Sequence, residues 1–153
     1  MTLPDPVSAV DHPSDSKAQR DAEVVILASL SEQIAVPLSK ASIPTGNGGR
    51  VEIDGASDDL SVLVEVYARQ GTLAGAQPKK LATDALKLTW IGAQVGAKRL
   101  ILAVADARVE AYLRRPTAWL TQALVDLGVE VIRVEVDEAT AETLHRAQQT
   151  QYR

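Results

Sequence analysis

The fold is decided by three stretches of sequence, which read RVEIDG at 50–55, SVLVEVYARQG at 61–71 and RLILAVAD at 99–106. The second stretch alternates as a strand does, so Val64 and Val66 face one side of a sheet while Glu65 and Tyr67 face the other. Asp54 lies near the end of the first stretch, and Glu65 lies inside the second. A carboxylate in an apolar strand is costly to bury unless it has a partner, a proton or a metal. These two acids are therefore the main indication of function.

The composition is typical of a globular protein of one domain. The chain has 153 residues, of which 46% are hydrophobic and 24% charged, and aromatic residues make up only 3%. Without cysteine there is no disulfide framework, no thiolate metal site and no cysteine nucleophile. No apolar run approaches the length of a membrane span, and no basic segment followed by a hydrophobic one opens the sequence. We therefore expect no membrane association and a cytoplasmic location.

The net charge of −4 gives no overall attraction to nucleic acid, so any such binding requires a local basic patch.

The first third of the chain predicts a tail, a helix and an edge strand. Residues 1–15 contain three prolines and little periodicity, which is typical of a disordered tail. A helix is expected from a cap at Asp15 or Ser16 to about Ile34, with its carboxylates Glu23 and Glu32 in solvent. A short edge strand follows at 39–43.

The rest of the chain alternates helices with strands. A helix is predicted at 78–95, and the run LILAVA at 100–105 is apolar on both faces, as in a central strand covered on both sides. Two short helices at 107–114 and 117–127, a strand at 129–136 and a final helix to about Gln149 complete the pattern. Trp119 is expected to point into the core. Residues 16–153 thus form one three-layer α/β domain, a mixed central sheet flanked by helices.

The run VEIDG, VLVEVYARQG, KKLATDALKL and RLILAVAD resembles the core of the PD-(D/E)XK nuclease superfamily, over roughly residues 20–106. This resemblance implies a restriction-endonuclease-like fold and hydrolysis of phosphodiester bonds in nucleic acid. It also implies that Asp54, Glu65 and the Val66 carbonyl bind Mg²⁺ or Mn²⁺, which prefer hard oxygen ligands. A tight hairpin through GASDDL would offset Asp54 from Glu65, so twist or a bulge is needed to bring them together.

The sequence departs from the family at one catalytic position. The family has a Lys two residues after the second acid, where this chain has Tyr67. A neutral phenol, with a pKa near ~10, is a poor replacement for an ammonium beside the attacking water. Some families that share the resemblance place this Lys on the following helix, so Lys80 and Lys87 are the candidates for it.

The sequence leaves open two alternatives to a catalytic metal site. Asp54-Gly55 is also a good turn signal, and Glu65 could be an isolated partner-facing charge. Loss of the strand Lys would be consistent with a catalytically inactive module that binds nucleic acid or protein, as a homodimer or as a subunit of a larger complex. The TGNGG turn at 45–49 leads into a strand and not into a helix, so it is a weak phosphate-binding motif.

Overall fold

The computed structural model describes residues 13–140 apart from 72 and 74, together with 142 and 146. The helices and strands in this part of the chain are α1 (Pro13–Ile34), β1 (Ser39–Pro44), β2 (Arg50–Ala56), β3 (Val62–Tyr67), α2 (Gln77–Val95), β4 (Arg99–Val104), α3 (Ala107–Leu113), α4 (Trp119–Asp126) and β5 (Val129–Arg133). The α/β class and the order of the elements are as predicted from the sequence.

The strands of the described residues form one mixed sheet in the order β1-β2-β3-β4-β5. β1 and β2 are antiparallel, as are β2 and β3, whereas β3, β4 and β5 run parallel. β4 is therefore an interior strand, as its apolar sequence predicts. β1 lies at the edge of the sheet, where a short strand ending in proline is tolerated.

Helices cover both faces of the sheet. On one face, Ile26 and Leu30 of α1 pack with Val64 of β3 and Ile101 of β4. On the other face, helices α2, α3 and α4 pack against the alternate strand residues, among them Leu63 and Leu102. All six residues of β3 are buried, because both of its faces are covered. The result is the predicted three-layer arrangement.

Some local predictions differ from the structure. α1 begins at Pro13, before the expected caps Asp15 and Ser16. Trp119 is 74% exposed, so its predicted core position is wrong. The adjacent Leu120 is buried instead, because α4 packs on the sheet through Leu120 and Leu124.

Several predicted segments lie partly outside the described residues. The structure describes neither residues 1–12 of the predicted tail nor most of the predicted final helix. At the beginning of that helix, the Asp137 carboxylate accepts a hydrogen bond from the Thr140 amide at 2.6 Å. In the part of the chain that is described, no helix is long and apolar enough to cross a membrane.

Candidate functional site

The candidate site lies where strands β2 and β3 separate. Their ladder includes only the pairs Gly55–Val64 and Ala56–Leu63. Beyond it, side chains replace backbone pairing: the Val66 amide donates to Asp54 Oδ2 at 2.8 Å, and the Asp54 amide donates to Glu65 Oε2 at 3.3 Å. The two acids named from the sequence therefore meet.

A bulge in β2 contributes to this meeting. Ser39 and Ala41 of β1 pair with Ala56 and Ile53, so three steps along β2 match two along β1. Such a bulge bends a strand and redirects its side chains. Asp54 lies within the bulged segment and inside β2, so the turn interpretation of Asp54-Gly55 is not realised.

Lys87 of α2 completes the site on the other side of Glu65. Its ammonium forms an ion pair with Glu65 Oε1 and donates a hydrogen bond to the Glu52 carbonyl at 3.0 Å. The other candidate, Lys80, instead pairs with Asp84 of its own helix at 3.4 Å. Of the two lysines, the structure therefore places Lys87 at Glu65.

Tyr67 occupies the position where the resembling family has its lysine. It is 1% exposed and belongs to the apolar cluster beneath α2. The strand itself therefore carries no cation at this position, and the positive charge beside Glu65 comes from the helix.

Glu65 has an unusual electrostatic environment. The residue is 1% exposed. Burial, together with the hydrogen bond and negative charge of Asp54, raises the pKa of Glu65 from 4.5 to about 8, although Lys87 opposes this shift. Near neutral pH the metal-free site therefore tends to hold a proton. A cation other than a proton could replace it.

Two further acids lie close to this pair. Glu23 of α1 has a raised pKa, first because of burial and then because of the Asp54 charge, with Lys80 and Lys40 opposing. The prediction that Glu23 is simply solvated is therefore wrong. The sequence did contain a signal, because Glu23 lies three and four positions before Ile26 and Leu27, on the side of α1 that packs on the sheet.

Asp84 of α2 is the second of these acids. It is buried, and its pKa is raised by this burial against the opposing charges of Lys80 and Lys87. Its negative charge holds Lys80, which explains why this lysine stays at the helix surface and does not reach Glu65.

The oxygen donors at this site are of the type that a hard divalent cation prefers. Asp54 and Glu65 supply two interacting carboxyl groups. The N–H and C=O of one strand residue point to the same edge, so the Val66 carbonyl also faces β2, past the end of the β2–β3 ladder. Among the described residues no group of three or more His, Asp or Glu has the arrangement of a metal site. Mg²⁺ commonly uses only one or two protein carboxylates, with water and substrate phosphate completing its shell.

The raised pKa of Glu65 leads to a prediction about stability in the absence of metal. Between pH 4.5 and about 8 the folded protein holds a proton on Glu65 that the unfolded chain releases. The free energy of unfolding should therefore fall as pH rises through this range. Glu65→Gln removes the titration with little change in shape, so its Tm should rise relative to wild type as pH increases from 5 to 9.

Thermal unfolding in EDTA at a series of pH values measures this difference. Glu52→Gln is a suitable control, because Glu52 is an exposed carboxylate on the neighbouring strand. A Tm difference between Glu65→Gln and wild type that does not change with pH would contradict the prediction.

Comparison with known proteins yields no relative: no family model matches the chain, and no curated protein or solved structure is significantly similar to it. The geometry and charge of the site are therefore the evidence for its function.

Proposed function

We propose that this protein is a metal-dependent nuclease of the PD-(D/E)XK type, which hydrolyses phosphodiester bonds of nucleic acid with Mg²⁺ or Mn²⁺. The observation that carries the proposal is the convergence of Asp54, Glu65 and Lys87 where β2 and β3 separate. The element order α1-β1-β2-β3-α2-β4 is compatible with the restriction-endonuclease-like fold implied by the sequence resemblance.

Each residue has a defined role in this proposal. The carboxylates of Asp54 and Glu65 and the Val66 carbonyl hold the cation. When bound, the metal lowers the pKa of a water ligand and neutralises charge on the phosphoryl oxygens. Lys87 supplies the positive charge that the strand lacks at Tyr67, and it stabilises the negative charge that develops in the transition state.

Lys87 is better placed for this role than Lys80. Its ammonium contacts both β2, at the Glu52 carbonyl, and β3, at the Glu65 carboxylate. The long apolar stem of a lysine lets the charged group extend from a helix across such a distance. Lys80 instead pairs with Asp84, and its charge opposes the raised pKa of Glu23.

The second candidate is a catalytically inactive module that binds nucleic acid or protein, as a homodimer or in a larger complex. The observation that favours it is the contact between the Lys87 ammonium and the Glu65 carboxyl group, which occupies Glu65 Oε1 without a metal. Exposed apolar side chains, including Trp119, Leu86 and Trp90, are of a kind found at protein interfaces. For either candidate function, we propose a cytoplasmic location.

The test is a cleavage assay on plasmid DNA, single-stranded DNA and RNA with Mg²⁺ or Mn²⁺, repeated in EDTA. We expect metal-dependent cleavage by the wild type and none by Glu65→Gln. Cleavage that survives in Glu65→Gln would indicate a contaminating nuclease. Failure of the wild type to cut any of the substrates would favour the inactive module.

A further inference from the structure

A cleft of about 420 Å³ lies beside the candidate site, between α1 and the β1–β2 edge of the sheet. Asp54 lines it, so the cleft reaches one of the two acids of the candidate site. Glu23 lines it as well, and the apolar side chains of Val24, Leu27 and Leu38 form much of the rest. The cleft thus combines an apolar surface with one end of the candidate metal site.

Two cations, Arg20 of α1 and Lys40 of β1, also line this cleft. Both residues are exposed, and within the described residues no salt bridge joins either of them to a carboxylate. The Lys40 charge acts on Glu23 in the cleft, since it opposes the rise in the pKa of that carboxyl group. Arg20 and Lys40 are therefore available to an anionic ligand.

The occupant that fits this combination carries an anionic group and an apolar body, as a nucleotide does. A phosphate would be repelled by Glu23 and Asp54 alone but attracted by Arg20 and Lys40 on the same cleft. The sugar and base would lie against Val24, Leu27 and Leu38. The volume is within the range of small-ligand sites, so it suits one nucleotide.

We propose that this cleft binds the unpaired nucleotide next to the scissile phosphate, with Arg20 and Lys40 holding the neighbouring phosphate of a single strand. This inference depends on the proposed nuclease function, and it specifies the substrate class as single-stranded nucleic acid. A base inside a duplex would first have to leave its stack to enter such a cleft, which costs unpairing energy. The protein should therefore prefer unpaired strands to duplexes.

The test is a binding titration by fluorescence anisotropy in Ca²⁺, with a labelled single strand of about 10 nucleotides, a length typical of single-strand sites. A hairpin duplex of related sequence and a single-stranded RNA serve as comparisons, and a gel checks that each probe stays intact. We expect Arg20→Ala/Lys40→Ala to weaken single-strand binding by about 10-fold or more. The salt dependence, d log K/d log[salt], should fall in magnitude by ~0.7, because Arg20 and Lys40 together hold one phosphate of the single strand.

Lys98→Ala/Arg115→Ala is the matched control, because it removes one exposed Lys and one exposed Arg outside the cleft. Equal losses in both double variants, a preference for the duplex, or no binding of any probe by wild type would overturn the inference. If Arg20→Ala/Lys40→Ala still cleaves and binds the single strand as tightly as wild type, the proposed role of the cleft is refuted and the nuclease proposal is unaffected. Binding that depends on Arg20 and Lys40 without cleavage would support the cleft and refute the nuclease.

Discussion

Lys87→Met is expected to tighten Mn²⁺ binding by about 10-fold or more and to slow phosphodiester hydrolysis by ~10²-fold. The Lys87 ammonium lies at the Glu65 carboxylate, where its positive charge opposes a second cation. Like charges a few ångströms apart repel by up to a few kcal/mol near a protein surface, so removing one of them favours metal binding. The rate should fall because a charge contact to the transition state typically contributes a factor of ~10² or more.

The opposite signs of these two effects separate a catalytic role from a purely structural one. A lysine that only stabilised the fold would, on removal, weaken metal binding together with activity. Calorimetric titration with Mn²⁺ gives the affinity, and a cleavage assay at saturating Mn²⁺ gives the rate. Lys79→Met is the control, because it removes the same charge from an exposed position on the same helix. Weaker Mn²⁺ binding by Lys87→Met than by wild type would refute the role assigned to Lys87.

Asp54→Asn is expected to reduce Mn²⁺ affinity by about 10²-fold or more and to bring cleavage to the background rate. Even residues that only support metal ligands contribute 10–100-fold to affinity, so a direct ligand should contribute at least as much. The substitution preserves size, and the asparagine oxygen can still accept the hydrogen bond from the Val66 amide. The loss should therefore come from the missing negative charge and not from unfolding.

Calorimetry with Mn²⁺, a cleavage assay and a thermal melt on the same preparation test this expectation. Asp58→Asn provides the matched control, since it removes the same charge from an exposed position in the β2–β3 turn. Retained Mn²⁺ affinity in a folded Asp54→Asn protein would show that the cation, if bound, lies elsewhere. A Tm well below that of wild type would instead indicate that Asp54 serves mainly to join β2 to β3.

The sequence by itself determined the α/β class, the order of the elements and the faces of the central strands. In β4, continuous apolar residues indicated burial on both sides, and α1 and α2 do cover both sides. In β3, alternation correctly separated Val64 and Val66 from Glu65 and Tyr67. These features follow from local periodicity, because burial of a strand face requires apolar residues at every second position. The exposed side of α4 was harder to assign, since Trp119 and Leu120 are both apolar neighbours and only packing on the sheet decides between them.

The composition of the site was decided by the tertiary structure. Asp54 and Glu65 are 11 residues apart, and they meet because a bulge alters the register of β2 while β2 and β3 separate. The choice of Lys87 over Lys80 depends on how α2 lies across β2 and β3, a contact spanning 35 residues. Glu23 lies near Asp54 only because α1 packs beside the same strands. Register, bulges and helix placement arise from the packing of the whole core, so the spacing of residues along the chain could name candidate acids and lysines but could not select the ones that converge.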